Sequence, residues 1–273
     1  MKSSIVSLFA IIPLVACAQD HGHISIGSAG VNQNDPLIFE NRDSFDTTAN
    51  YVKTLTFATA GAYAGYFQGN ITITGLAATP ERSGPEPNAA ALGSRLFVQL
   101  VSVEGPEGGT FAFWESGATS PTISLASGNS GTNTWRVSEN DGSPGSDPYG
   151  HIHGRRFTAT RPGIYTVSFC AFDFSTNGLG GGPIHSPSSV MKVYFQAGVN
   201  LKSVEPGATG TRVVFSAPVG QDWVVEASSS PDAGAIWTEV GAPIAGDDYF
   251  HEVIDNEVVP GPRFYRARGT TPP

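Results

Sequence analysis

Cysteine, charge and methionine are all scarce in this chain of 273 residues, which has 2 Cys, 2 Met and only 14% charged side chains. Cys17 follows directly on an apolar leader and is either modified or removed with it. Cys170 then has no partner within the chain, so no disulfide is expected. With no thiolate pair, any metal site must be built from imidazoles, with at most a carboxylate beside them. Basic residues are also few: 15 Lys+Arg against 24 Asp+Glu give a net charge of −9. That excludes a basic patch for nucleic acid and a polybasic segment for an anionic membrane surface. No apolar run is long enough to span a bilayer, and no amphipathic helical period exceeds about two turns. The chain lacks a Gly-x-Ser-x-Gly elbow, a phosphate-binding Gly-rich loop followed by Lys-Ser or Lys-Thr, a His-Glu-x-x-His pair and an EF-hand loop.

Glycine, proline and phenylalanine are plentiful, at 33, 20 and 16 residues. These are poor material for helices and good material for short strands and tight turns. Lys2 followed by the apolar run Ile5 to Ala16 has the form of an export signal. Two cleavage readings stay open. Leu14-Val15-Ala16-Cys17 fits a bacterial lipobox that would leave a lipidated Cys17, and Ala16-Cys17-Ala18 fits a site that would leave Gln19 first. The expected product is exported, whether periplasmic, an outer-membrane lipoprotein or at the cell surface. A membrane would be touched only through an N-terminal lipid.

Beyond the leader, alternating or β-branched runs predict strands at Tyr51–Phe57, Gly69–Leu76, Leu96–Val103, Thr110–Glu115, Thr134–Val137, Gly163–Phe174 and Val190–Gln196. The stretch from Asn32 to Asn50 reads as polar and turn-rich. Ala197-Gly198-Val199-Asn200 reads as a boundary, and five further short strands follow it. The expected organisation is a signal peptide at 1–18, a His-rich metal-binding domain at 19–198 and a smaller domain at 199–273. The fold class is all-β: a jelly-roll-like or Ig-like β-sandwich followed by a smaller Ig- or fibronectin-III-like one.

Histidine is where chemistry can reside. Five of the six, His21, His23, His151, His153 and His185, precede the boundary, as two His-x-His pairs and one His in a Gly/Pro-rich loop. On a strand, residues two apart face the same way, so His151 and His153 could present both rings to one ion. Zn²⁺ is the expected metal, with Cu²⁺, Mn²⁺ and Fe²⁺ as alternatives. The ligands are His23, His151, His153 and His185, with His21 as an extra. Imidazole must be deprotonated to ligate, so binding should weaken in mild acid. Glu115 and Asp173 are the best carboxylates for a supporting role. His251 reads as a polar face residue, and Arg155 and Arg156 as surface charges.

The segments His23 to Gly27, Phe111 to Gly117, and His151-Ile152-His153-Gly154-Arg155-Arg156-Phe157-Thr158 running into Pro162-Gly163-Ile164-Tyr165 resemble a family of bacterial surface proteins. These are the choice-of-anchor M domain proteins, which include cyanobacterial PEP-CTERM proteins repressed by the zinc uptake regulator. Gly181-Gly182-Pro183-Ile184-His185-Ser186-Pro187-Ser188 looks like the cyanobacterial branch. The resemblance covers residues from about 21 to 198. It implies a role in zinc or manganese acquisition outside the cytoplasm, with a metal uptake system or a surface component as partner. The usual C-terminal anchor of the family is missing, which puts surface attachment in doubt unless Cys17 carries a lipid.

Two rival readings follow from the same residues. One is an adhesion or glycan-binding module in which the histidines are incidental and Trp114 and Trp135 form the contact surface. The other is a cupin-like metalloenzyme with Glu115 or Asp173 as base. Against the latter, no glutamate follows His153 at the cupin spacing, where Phe157 and Thr158 stand instead.

Overall fold

The computed structural model describes residues 22–198, 200–257 and 259–270. Cys17, His21 and the leader lie outside the described residues. The chain is all-β, with 47% of the described residues in strands and 5% in helix. The first part holds thirteen strands. They are β1 (His23–Ser28), β2 (Leu37–Phe39), β3 (Val52–Phe57), β4 (Phe67–Gly69), β5 (Thr72–Gly75), β6 (Leu96–Glu104) and β7 (Thr110–Trp114). After these come β8 (Ile123–Ala126), β9 (Asn129–Ser130), β10 (Thr134–Arg136), β11 (Arg156–Ala159), β12 (Gly163–Asp173) and β13 (Met191–Ala197). A large sheet runs in the order β10-β6-β12-β13-β3-β4-β11-β7-β8, with β9 paired to β6, and a small one in the order β2-β1-β5.

Side-chain alternation explains why these segments are strands. In β6, Leu96, Val98 and Leu100 are buried while Phe97 and Gln99 between them are not. The alternation slips by one residue before Val103, where the pairing with β12 also slips, between Ser168 and Phe169. Such a slip is the mark of a β-bulge, which bends the strand. The large sheet curls on itself, because rings from its two halves meet in one core. Phe113 of β7 stacks on Trp135 of β10 with centroids 4.3 Å apart and planes at 14°. Phe111 of β7 lies 4.8 Å from Phe195 of β13.

The second part comprises β14 (Leu201–Gly207), β15 (Gly210–Ala217), β16 (Asp222–Ser228), β17 (Thr238–Ala245), β18 (Tyr249–Asp255) and β19 (Phe264–Thr270). They form two three-stranded sheets, β14-β15-β18 and β17-β16-β19, around Val213, Phe215, Ala217, Trp223, Val225, Ala227 and Val240. The two parts share a seam. The Val52 N–H donates to the Asp248 carbonyl (2.8 Å), the Phe250 N–H donates to the Asn50 carbonyl (3.0 Å), and Val52, Val214 and Phe250 are buried together.

Candidate metal centre

β1 and β5 run parallel, with His23 opposite Thr72 and Ile26 opposite Gly75. The end of β5 carries the second histidine segment, because Gly75 and Gly150 exchange backbone hydrogen bonds of 2.9 and 3.2 Å. That close approach demands glycine at 150: a Cβ there would collide with the Val137 carbonyl. From Gly150 the chain does not continue as a strand. His151 to Arg155 is a loop closed by a turn at Gly154, whose φ is +84°, and β11 begins only at Arg156. The expectation of a strand-borne His-x-His is therefore corrected. Glycines on both sides bend the segment, and Ile152 turns inward to line a small void with Ile71, Ile73, Phe113, Trp135 and Phe157.

The two rings are neighbours on this loop all the same. The His151 and His153 rings lie 4.4 Å apart with planes at 33°, and His23 meets His151 at 4.6 Å in an edge-on contact at 74°. Three imidazoles from segments more than a hundred residues apart in sequence thus form one continuous cluster. His23 and His151 are half-buried and His153 is exposed. Among the described residues no set of three His, Cys, Asp or Glu side chains already converges as a ligand cage. The donor set fits a borderline cation that accepts nitrogen ligands, and the loop carrying two of the rings is free of the sheet ladder.

His185 is elsewhere. Its ring sits beside the Ala29–Pro36 pairing, at the end of β1 opposite to His23. It is 1% exposed, its Nε2 accepts from the Ala91 N–H (3.0 Å), and its Nδ1 stands 3.0 Å from the Asp35 carbonyl. That geometry assigns the proton to Nδ1 and uses both ring nitrogens. The expectation of His185 as a ligand is corrected: it is a buried bracket between loops. Asp173 completes the bracket, accepting from the N–H groups of Arg95 (2.9 Å), Ser175 (2.8 Å), Ile184 (2.9 Å) and His185 (3.1 Å) and from the Ser175 hydroxyl (3.0 Å).

Glu115 lies near the cluster, since Gly154 packs on Ser116, but it is committed to another partner. Arg155 Nε and Nη2 donate to Glu115 Oε1 and Oε2 at 2.7 and 2.9 Å, a bidentate pair. Burial works to raise the Glu115 carboxyl. The Arg155 bonds and charge and the Ser116 N–H outweigh it, so the group sits below the ordinary glutamate value. Arg155, expected as a surface charge, is mostly buried and also lies over the Phe113 ring. Trp114 and Trp135 are 1% and 5% exposed and belong to the core, so the contact surface required by an adhesion reading is not formed by them. His251 is in the second part, with Nε2 2.8 Å from Asp247 Oδ1.

Sequence reasoning passed over Glu139, which lies between the strand predicted at Thr134–Val137 and the histidine pair. Its Oε1 accepts the His151 N–H at 3.0 Å, and its own N–H donates to the Tyr149 carbonyl at 2.8 Å. Only its position before Asn140-Asp141-Gly142 marked it, and that is a turn signal rather than a site signal. No protein-family model, curated protein or solved structure matches the chain.

Proposed function

We propose that His23, His151 and His153 are the protein ligands of a first-row transition metal, with zinc as the metal. The protein then serves as an exported metal-binding protein, in acquisition or buffering of that ion outside the cytoplasm. The observation that carries this reading is the continuous contact of three imidazoles delivered by two distant segments. His21, two residues before His23 in sequence, is the candidate for a further ligand. The exposed His153 gives an ion an access side, and three nitrogen ligands leave a coordination position for water or an exchange partner.

A binding role is favoured over a hydrolytic one by the carboxylates. Glu115 is held by Arg155, and Asp173 is a buried brace at the other end of β1, so neither is placed as a general base for a metal-bound water. Elemental analysis of the untagged, secreted protein tests the proposal, because a hexahistidine tag would supply imidazoles of its own. About one zinc per chain is expected. A protein isolated metal-free that also ignores added zinc would overturn the reading.

A further inference from the structure

We infer that Glu139 is a positioning residue for this metal site, acting through the backbone of His151; the inference rests on the metal reading above. The histidine loop is fixed at its start in two ways. Gly150 is pinned to Gly75 by the reciprocal backbone bonds, and the next amide, that of His151, is bonded to the Glu139 carboxylate. Glu139 is itself bonded to the same segment through its N–H on the Tyr149 carbonyl, so residues 139 and 149–151 are joined at two points. After that contact the loop has no strand pairing until Arg156. Glu139 is thus a side chain from outside the loop that holds the His151 amide in place, next to the backbone bonds that fix Gly150.

The other oxygen of Glu139 faces Arg82, with Oε2 3.4 Å from Nη1, and the Arg82 guanidinium also lies over the Tyr149 ring. Both partners of this ion pair are substantially exposed, at 49% and 33%, so its own energetic contribution is small. Its geometric effect is to hold the carboxylate so that Oε1 points at the amide. The chemistry needed at 139 is thus an oxygen acceptor at the end of a two-methylene side chain, and the negative charge is secondary. Supporting groups of this kind typically change metal affinity by about 10–100-fold without touching the ion.

Zn²⁺ titration and Co²⁺ absorption spectra of the full mature chain test this with Glu139→Ala, Glu139→Gln and the double variant His151→Ala/His153→Ala. The expected result is loss of binding in the histidine variant and about 10-fold or weaker affinity in Glu139→Ala, with altered cobalt ligand-field bands. Glu139→Gln keeps an oxygen for the His151 amide and should return close to the native affinity and spectrum. If the histidine variant abolishes binding while Glu139→Ala binds as the native protein does, the positioning role is wrong and the metal site stands. If Glu139→Gln is as impaired as Glu139→Ala, charge attraction rather than positioning is at work, and the inference is overturned. If the histidine variant binds zinc with unchanged stoichiometry, the metal site itself fails.

Discussion

Replacing Asp173 with asparagine separates the two roles that a carboxylate in this protein can have. The native group is 5% exposed and accepts five hydrogen bonds, four of them from backbone N–H groups that have been withdrawn from water. Asparagine keeps one oxygen and turns the other position into a donor. Whichever way the amide is placed, at least two N–H or O–H donors then face an NH₂ group. Hydrogen bonds to a charged acceptor contribute about 1.5–3 kcal/mol each, so losing two costs about 3–6 kcal/mol. Relaxation of the Gly180–Gly181 loop lowers that figure towards its lower end. For a chain of this size, about 4 kcal/mol corresponds to a fall in melting temperature of about 8–16 °C. Thermal unfolding followed by circular dichroism reads the change, and zinc titration at a temperature below the transition reads the site. A large loss of stability with native zinc affinity is expected. Native stability combined with lost zinc binding would refute the assignment of Asp173 as a brace and return it to a supporting role in the metal site.

Three further outcomes follow from the geometry. Gly150→Ala should abolish the local structure of the histidine loop, because its Cβ would overlap the Val137 carbonyl; amide exchange across 149–155 should rise sharply while the core strands stay protected. Ile152→Ala removes the inward wedge of the same loop and should cost about 1–2 kcal/mol in urea unfolding, less than a fully buried isoleucine because the site is only half-buried. Glu115 has its carboxyl held below the usual value, so its stabilising contribution is complete above the unfolded-state pKa and is lost as pH falls through the folded value. Glu115→Gln should therefore be less stable than the native protein at neutral pH by at most about 1 kcal/mol, with the difference shrinking as pH falls through and below the ordinary glutamate range.

The strands with strong alternation, such as those at Leu96 and Gly163, were legible in the sequence because each buries one face against the other half of the curled sheet. Leu37–Phe39 was not, being three residues in a polar stretch that become a strand only by pairing with β1. Leu201–Gly207 was hidden by its proline and its mostly exposed side chains, a pattern compatible with an edge position. The histidine pair was identifiable as a pair, but the period-two argument gave the wrong backbone. Gly150 and Gly154 were the residues that should have signalled a loop, and the alternation of His151, Ile152 and His153 arises there from the inward turn of Ile152. His185 misled for a different reason. A glycine-rich loop next to a histidine suggests a site, whereas here it lets the backbone wrap round the buried Asp173 carboxylate, which no local pattern reveals. Glu139 acts through a backbone amide, and such contacts leave no residue-type signature.

Zinc titration of the untagged protein, with the His151→Ala/His153→Ala variant beside it, addresses the central claim most directly. The account predicts saturable binding near one ion per chain in the native protein and its loss in the variant, with both proteins folded. Equal stoichiometry and affinity in the two would contradict it.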